Sequence, residues 1–377
     1  MNNTVYIDRH EDYEVEGLIK LFERRFEELK MSSKIKAGMT VVIKPNLVTR
    51  SAPDSGIITH PNVVAAVGTL VKKLGANVLI AESSGGPFTE QAVKIIMNGC
   101  GYTAMAEKYG FEIYYDCKFT ETELPEGKIC KNINIVDSFI DADFIINIAK
   151  FKSHCMTMLS GATKNLFGTV PGLMKPELHF RYPEKERFST MLVDLAQRIK
   201  PQLNIIDAID GMEGDGPTGG VKRHMGLVIT AENCYCADIA AAHIMGAEPM
   251  DIFMLKDAHN RGECPSSVGE LNIVGADIDS CVQSDFRMPR TKDVDFGKRM
   301  PKFLQPLVKK ITTPKPVIKI KNCIGCGKCA ESCPRHTITI KDRKAVIDYK
   351  NCINCFCCHE MCPVHVIDIR RFGAFKF

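Results

Sequence analysis

Residues 40–87, "TVVIKPNLVTRSAPDSGIITHPNVVAAVGTLVKKLGANVLIAESSGGP", decide the fold of most of the chain. "TVVIKPN" opens on a continuous apolar run of strand length, and "NVLIA" is a second such run. Between them "PNVVAAVGTLVKKLG" has the apolar spacing of an amphipathic helix. Uninterrupted apolar strands separated by helices belong to sheets covered on both faces, which are parallel or mostly so. The alternation continues through the helical "TEQAVKIIMNG", the strand candidates "DFIINIAK", "LNIIDAIDG" and "GLVITA", and the helical "YCADIAAAHIMG". The expected class is α/β, a mostly parallel sheet with flanking helices.

In such folds ligands bind outside the carboxyl ends of the strands. Polar residues collect where that rule puts a site. Lys44 and Asn46 follow one strand; Glu82, Ser83, Ser84, Gly85 and Gly86 follow the next; Lys150, Lys152 and His154 follow a third. After a fourth, "DGMEGDGPTGG" supplies Asp210, Glu213 and Asp215 with Gly214, Gly216, Gly219 and Gly220. "ESSGGP" reads either as a plain turn or as an anion cradle leading to a helix with Thr89 as N-cap. The acidic loop reads either as a solvated turn or as a divalent-metal site. His60, before a proline, reads as a helix-start residue. In "SGATKNLFG" Lys164 and Asn165 lie between Gly161 and Gly168, where backbone can approach a ligand closely. Lys164 could instead cap a helix C-terminus, and His179 could be a satisfied core histidine.

The C-terminus carries a different signal. "CIGCGKCAESCP" and "CINCFCCHEMCP" both have the spacing C-x2-C-x2-C-x3-C-P. In two-cluster ferredoxins three cysteines of each run hold one [4Fe-4S] cluster and the fourth crosses to the other. Cys323, Cys326, Cys329 and Cys362 are therefore expected on the first cluster, and Cys352, Cys355, Cys358 and Cys333 on the second. Zinc ribbons take separated pairs of cysteines, which this pattern lacks. Cys357 falls outside the register, as a packed thiol or a group that tunes the second cluster. "VIKI", "TITI", "AVIDY" and "VIDI" are short strands fitting a duplicated α+β ferredoxin fold.

With 377 residues and 45% hydrophobic content, one large domain and a smaller one are expected. Residues 1–287 form the α/β ligand or substrate domain, 288–316 a Pro- and Lys-rich linker with one short helix, and 317–377 the ferredoxin domain. Nine of seventeen cysteines crowd into the last 55 residues at metal-ligand spacings, with no secretory leader visible, so the expected compartment is reducing. No apolar run reaches the ~20 residues of a membrane helix, so the chain reads as soluble and cytoplasmic, with no membrane partner. Residues 315–377 hold 12 Lys and Arg against 5 Asp and Glu, which leaves the rest of the chain at −3. The basic residues are not clustered as in nucleic-acid binders, and a solvated surface or an acidic protein partner is the better reading.

Over about residues 1–285 the chain resembles the family of domain of unknown function 362, often fused to ferredoxin modules. The resemblance rests on "IKPNLV", "THPNVVAAVGTLVKKLGA", "AKFKSH", "GATKNLFGTVPG", "DGMEGDGPTGG" and "CADIAAAHIMG". It implies a fold and no particular activity. The lactate racemase family is similar at fewer positions. That likeness implies a lysine holding a nickel pincer nucleotide (Lys164), a nickel-ligating histidine (His179) and an acid/base histidine (His154). This chain has one glycine in Gly161-Ala162-Thr163-Lys164 where that family has two, and no second catalytic histidine near "AESSGGP".

The leading expectation is an iron–sulfur oxidoreductase. Its ferredoxin domain exchanges low-potential electrons with a carrier such as an acidic ferredoxin or flavodoxin and delivers them to a small anionic substrate or further cofactor. Lys164, His154 and Glu82 are the candidate catalytic residues. Lys44, Asn46, Ser83, Gly85, Gly86, Lys150, Lys152, Asn165, His179, Asp210, Glu213, Gly214 and Gly216 are candidate binding residues. The alternatives are a racemase-like isomerase or lyase with structural or regulatory clusters, and a non-enzymatic electron-transfer or cluster-handling protein.

Overall fold

A computed structural model of the protein describes residues 2–291 and 313–370. The central part of the expected linker, with its helix, lies outside these residues. In chain order the strands are β1 (Thr4–Arg9), β2 (Thr40–Lys44), β3 (Asn77–Ile80), β4 (Glu112–Ile113), β5 (Phe119–Glu123), β6 (Asn132–Val136), β7 (Phe144–His154) and β8 (Met158–Leu159). They continue with β9 (Leu203–Glu213), β10 (Val221–Ala231), β11 (Asn272–Gly275), β12 (Lys315–Ile318), β13 (Ile338–Lys341), β14 (Lys344–Ile347) and β15 (Ile367–Arg370). The large sheet runs β11-β1-β10-β9-β7-β2-β3-β4, with β8 beside the end of β7. From β9 to β4 every neighbouring pair is parallel. β10 runs against both its neighbours, β9 and β1, so the sheet is mixed on that side.

Every apolar run quoted above falls on its element. "PNVVAAVGTLVKKLG" is the helix Pro61–Lys73, started by His60, whose Nδ1 accepts from Asn62 N. Thr89 caps the helix Glu90–Gly99 by accepting from Ala92 N. Side chains of β7 alternate between the faces: Phe144, Ile146 and Ile148 join the core with helices Val15–Glu28 and Pro61–Lys73. Ile145, Ala149 and Phe151 join the opposite core with helices Lys185–Ile199 and Cys234–Ile244. Burying each such side chain contributes roughly 1.5–3 kcal/mol, and all eleven residues of β7 are buried. The polar half of this strand, Lys150 to His154, is therefore held where charge is costly unless partnered.

In the C-terminal unit β12 pairs with β15, and β13 with β14 through a two-residue turn at Asp342 and Arg343, both left-handed. Two short helices, Lys328–Glu331 and Cys357–Glu360, occupy equivalent places in the two cysteine runs. Each follows a residue with positive φ: Gly327 in the first run and Phe356 in the second. A bulky residue there is strained, and the compensation is visible, since Phe356 packs with Cys155 of the large sheet unit and Ile369.

Candidate functional site

The polar ends of β2, β3, β7 and β9 meet at one edge of the sheet, and their lysines differ sharply in what they touch. Lys150 Nζ lies 2.9 Å from Asp207 Oδ2 on the neighbouring β9 and 2.9 Å from the Tyr13 hydroxyl. Tyr13 donates to Asp207 Oδ1 at 3.0 Å and stacks on His60, whose backbone N–H donates to Asp207 Oδ2. Lys150 is thus absorbed in a closed ion pair. Lys44 pairs with Glu82, and Gly168 makes room for them: a Cβ there would overlap Glu82 Oε1 and Lys44 Nζ. Burial drives the Glu82 carboxyl up to about 7 against the lysines around it. Lys152 Nζ has no carboxylate partner; it donates to Asn46 Oδ1 at 2.6 Å and Ile57 O at 2.7 Å, and burial pushes its pKa well below the lysine range. Asn46 donates in turn to Asn165, Asn165 to Asn147 and Asn147 to Asn204, a chain of buried amides across the strands.

The stretch 154–179 folds over this edge. Gly161 opens the short helix Gly161–Asn165 at φ +49, and a side chain there would overlap Asp238. Its absence lets the buried Asp238 accept from Ala162 N at 2.5 Å and Thr163 N at 2.9 Å. The glycines of "GATKNLFG" therefore accommodate the protein's own carboxylates, Asp238 and Glu82, where the sequence suggested room for a ligand.

Lys164, half-buried at the end of this helix, lies over the rings of Phe167 and Phe188, 4.7 and 5.9 Å from their centroids. Among the described residues its ammonium has no hydrogen-bond acceptor, and burial lowers its pKa. His179 stacks on the same Phe188 at 4.2 Å, and its buried Nδ1 has no partner among the described residues. Burial holds His179 at about 3 and His154 at about 4, so both imidazoles are neutral near pH 7. Met156 N donates to His154 Nδ1 at 3.0 Å, which leaves the proton of the neutral ring on Nε2.

Facing that Nε2, at 3.3 Å, is Glu360 Oε1, a carboxylate from the C-terminal unit. The contact is close enough for an ion pair but lacks the alignment of a hydrogen bond, so Nε2 and Oε1 both keep bonding capacity. Burial would raise the Glu360 carboxyl, but His154, Lys164 and His179 hold it down at about 2. Sequence reasoning passed over Glu360, because "CCHEMC" was read only for its cysteines. It also passed over Lys175, whose Nζ is ringed by Ser83 O, Ser83 Oγ, Ser84 O and Val170 O, with burial lowering its pKa to about 7.

Other expected residues are turned elsewhere. Ser83 Oγ accepts from Gly172 N, and Gly85 lies against Met361 Sδ, so the 82–86 loop is covered by chain. Asp210 pairs with Lys222 and His224, Glu213 with Arg223 and Arg287, and Asp215 with Arg290. These carboxylates are spread over separate cations. Gly214 O accepts from Ser153 Oγ, and Gly216 O from Cys155 N, which ties the loop to the end of β7. The loop also meets the C-terminal unit: Asp215 O faces His359 Nε2 at 2.9 Å, and Thr218 Oγ1 donates to Glu360 O.

Two small cavities lie in the C-terminal unit. Cys323, Cys326, Cys329 and Cys362 line the first; Cys333, Cys352, Cys355 and Cys358 line the second, with Cys357 beside them. Each cavity thus has four thiols, three from one run and one from the other, as two [4Fe-4S] clusters require. Among the described residues no three donors are gathered tightly enough for a single ion. The second cavity is the one beside the site: Phe356 packs on Cys155, and Arg335 lies 5.4 Å from the Phe180 ring next to His179.

The chain is thus an iron–sulfur protein in which buried lysines and histidines at the strand ends of an α/β unit meet a two-[4Fe-4S] ferredoxin unit. Residues 41–243 match the family described as Domain of unknown function (DUF362), and residues 322–366 the 4Fe-4S dicluster domain. The chain belongs to the DUF362 family. It is similar to the thylakoid-associated protein sll1697 of Synechocystis sp., at 30% identity over 79% of this chain and 91% of that protein. The lactate racemase apoprotein of Thermoanaerobacterium thermosaccharolyticum matches at a TM-score of 0.34 and 14% identity, over 55% of this chain and 50% of the racemase. No helix among the described residues is long and apolar enough to cross a membrane.

Proposed function

We propose that the protein is an iron–sulfur oxidoreductase whose second cluster exchanges electrons with an anionic ligand in the pocket of Lys164, His154, His179 and Glu360. The observation that carries this reading is the position of Glu360. It lies two residues from Cys358, a ligand of the second cluster, and 3.3 Å from His154 at the strand ends. The clusters, when bound, supply one-electron reduction at low potential. Among the described residues Lys164 and Lys152 make no hydrogen bond to a carboxylate, which leaves their Nζ groups able to take an anion. His154, neutral with its N–H at Nε2, can donate a hydrogen bond toward bound ligand. Glu82, at about 7, can take up or release a proton through the Lys44 pair. Asn46 and Asn165 orient Lys152, and Phe167 and Phe188 keep water from Lys164. The division into a ligand domain (1–287), a linker (288–316) and a ferredoxin domain (317–377) is part of this proposal. So is a reducing, cytoplasmic setting, supported by cysteines that are all free among the described residues.

A second reading, an isomerase or lyase with structural clusters, is favoured by one observation: His179 Nδ1 is buried and unpartnered close to Lys164, as suits a metal ligand. One experiment separates the two. Protein purified without oxygen is assayed for iron, sulfide and nickel, and the small molecules released on denaturation are identified by mass spectrometry. About eight irons and a small anion that reoxidises prereduced clusters support the oxidoreductase. A nickel-bearing ligand that turns over at the same rate whether the clusters are reduced or oxidised would overturn it.

A further inference from the structure

The mouth of the first cluster cavity is unlike the second. Ile324 is 55% exposed, and Ile340 and Val364, also on the cavity lining, are 40% exposed; Ile320 beside them is 55% exposed. Cys326, on this cavity, is the exposed one of the eight ligand cysteines. A cluster of large exposed apolar side chains around a redox centre marks a contact surface.

Charge is also uneven along the unit, although Arg335 lines the second cavity and Lys315 lies over Tyr349 on that side. Residues 319–344, which include the first cysteine run, hold seven Lys and Arg against two acidic residues; residues 345–370 hold two against three. Two of the seven are committed, Lys319 to Asp368 at 2.9 Å and Lys344 to Cys323 O at 2.7 Å. Lys321, Lys328, Lys341 and Arg343 are exposed and have no carboxylate partner among the described residues. An apolar centre with a basic rim is complementary to a partner with an apolar redox centre and an acidic rim, and such charge mainly sets encounter rate and orientation.

We propose that this face, Ile320, Ile324, Ile340 and Val364 rimmed by Lys321, Lys328 and Lys341, docks a small acidic electron carrier over the first cluster. The proposal rests on the oxidoreductase reading and adds the port through which electrons arrive. The second cluster faces the pocket; the first faces the carrier. Each encounter transfers one electron, oxidising the carrier by one and reducing the domain by one, with no bond made or broken.

The test uses full-length holoprotein and a strongly acidic flavodoxin in the oxidised state, with binding followed by calorimetry at rising salt. Binding is expected at low salt and should weaken steadily as salt is added. The Lys321→Glu/Lys328→Glu/Lys341→Glu variant should lose at least about tenfold in affinity at unchanged iron content. Ile324→Ala should weaken binding while leaving the salt slope alone. Lys350→Glu, on the second-cluster side, should bind as the parent does. Absent binding, salt-independent binding, or a charge-reversed variant that binds normally would each overturn the docking face. A salt-insensitive dimer that excludes flavodoxin would also overturn it, by assigning the face to a second copy of the chain. A viologen radical reduces the clusters without docking. If viologen-reduced protein fails to reduce the pocket ligand while flavodoxin still binds, the oxidoreductase reading fails and the docking face stands.

Discussion

Lys150 and Lys164 stand at the same end of the sheet, yet methionine at each should have opposite consequences. Lys150→Met removes the ammonium 2.9 Å from Asp207 and leaves a wholly buried carboxylate held by neutral donors, Tyr13 and the backbone N–H groups of His60 and Ile209. Breaking a buried pair from one side costs about 3–5 kcal/mol. Among the described residues the Lys164 ammonium makes no hydrogen bond and lies over the Phe167 and Phe188 rings, a contribution of about 0.5–2 kcal/mol. Methionine keeps the stem and gains a sulfur contact with the same rings of about 0.3–1.5 kcal/mol. The net change therefore lies between a gain of about 1 and a loss of about 1.7 kcal/mol. In thermal unfolding of anaerobic protein at matched iron content, Lys150→Met should melt roughly 6–15 °C lower and Lys164→Met at most about 5 °C lower than the parent. Lys164→Met should nevertheless release the bound anion. Equal destabilisation by the two variants would refute the assignment of Lys164 as a ligand-binding lysine and make it one more structural cation.

Two further outcomes follow from the same geometry. Gly168→Ala should destabilise the protein by about 2–4 kcal/mol, because its Cβ falls on the Lys44–Glu82 pair. In a Lys44→Ala/Glu82→Ala background the same change should cost under about 1 kcal/mol, and denaturant titration of the four proteins checks this. Stability should also fall on acidification. His154 and His179 are held below their unfolded value of 6.5, at about 4 and about 3, so the fold keeps them neutral while the unfolded chain takes up protons. Their contribution is full above pH 6.5 and is lost as pH falls toward 4 and 3, at up to about 1.4 kcal/mol per pH unit for each. His179→Phe, which preserves the stack on Phe188, should flatten the slope by one proton in denaturant unfolding measured from pH 7 to 5.

The α/β framework was legible because its strands are continuous apolar runs and its helices have one apolar face, both local properties. The antiparallel course of β10 was not, since direction depends on the length and path of connections and leaves no trace in composition. The lysines were found by position, but their roles depended on partners far off in the chain. Asp207, which absorbs Lys150, is 57 residues away, and Tyr13, which completes that pair, is 137 away. Glycine was read as room for a ligand at 161 and 168, and the volume went to Asp238 and Glu82. Glu360 sits inside a cysteine motif whose spacing satisfies the clusters whatever occupies the gap.

That gap, Cys358 to Cys362, has a bearing on how the molecule matures. Within five residues the chain holds a ligand of the second cluster, the carboxylate facing His154, the methionine lying on Gly85 and a ligand of the first cluster. The backbone conformation that presents the two thiolates also presents the carboxylate. Before iron is bound, contacts with Asp215 and Thr218 of the large sheet unit hold this segment. Loading of metal should then fix the carboxylate and the thiolates together, and loss of either cluster should loosen both.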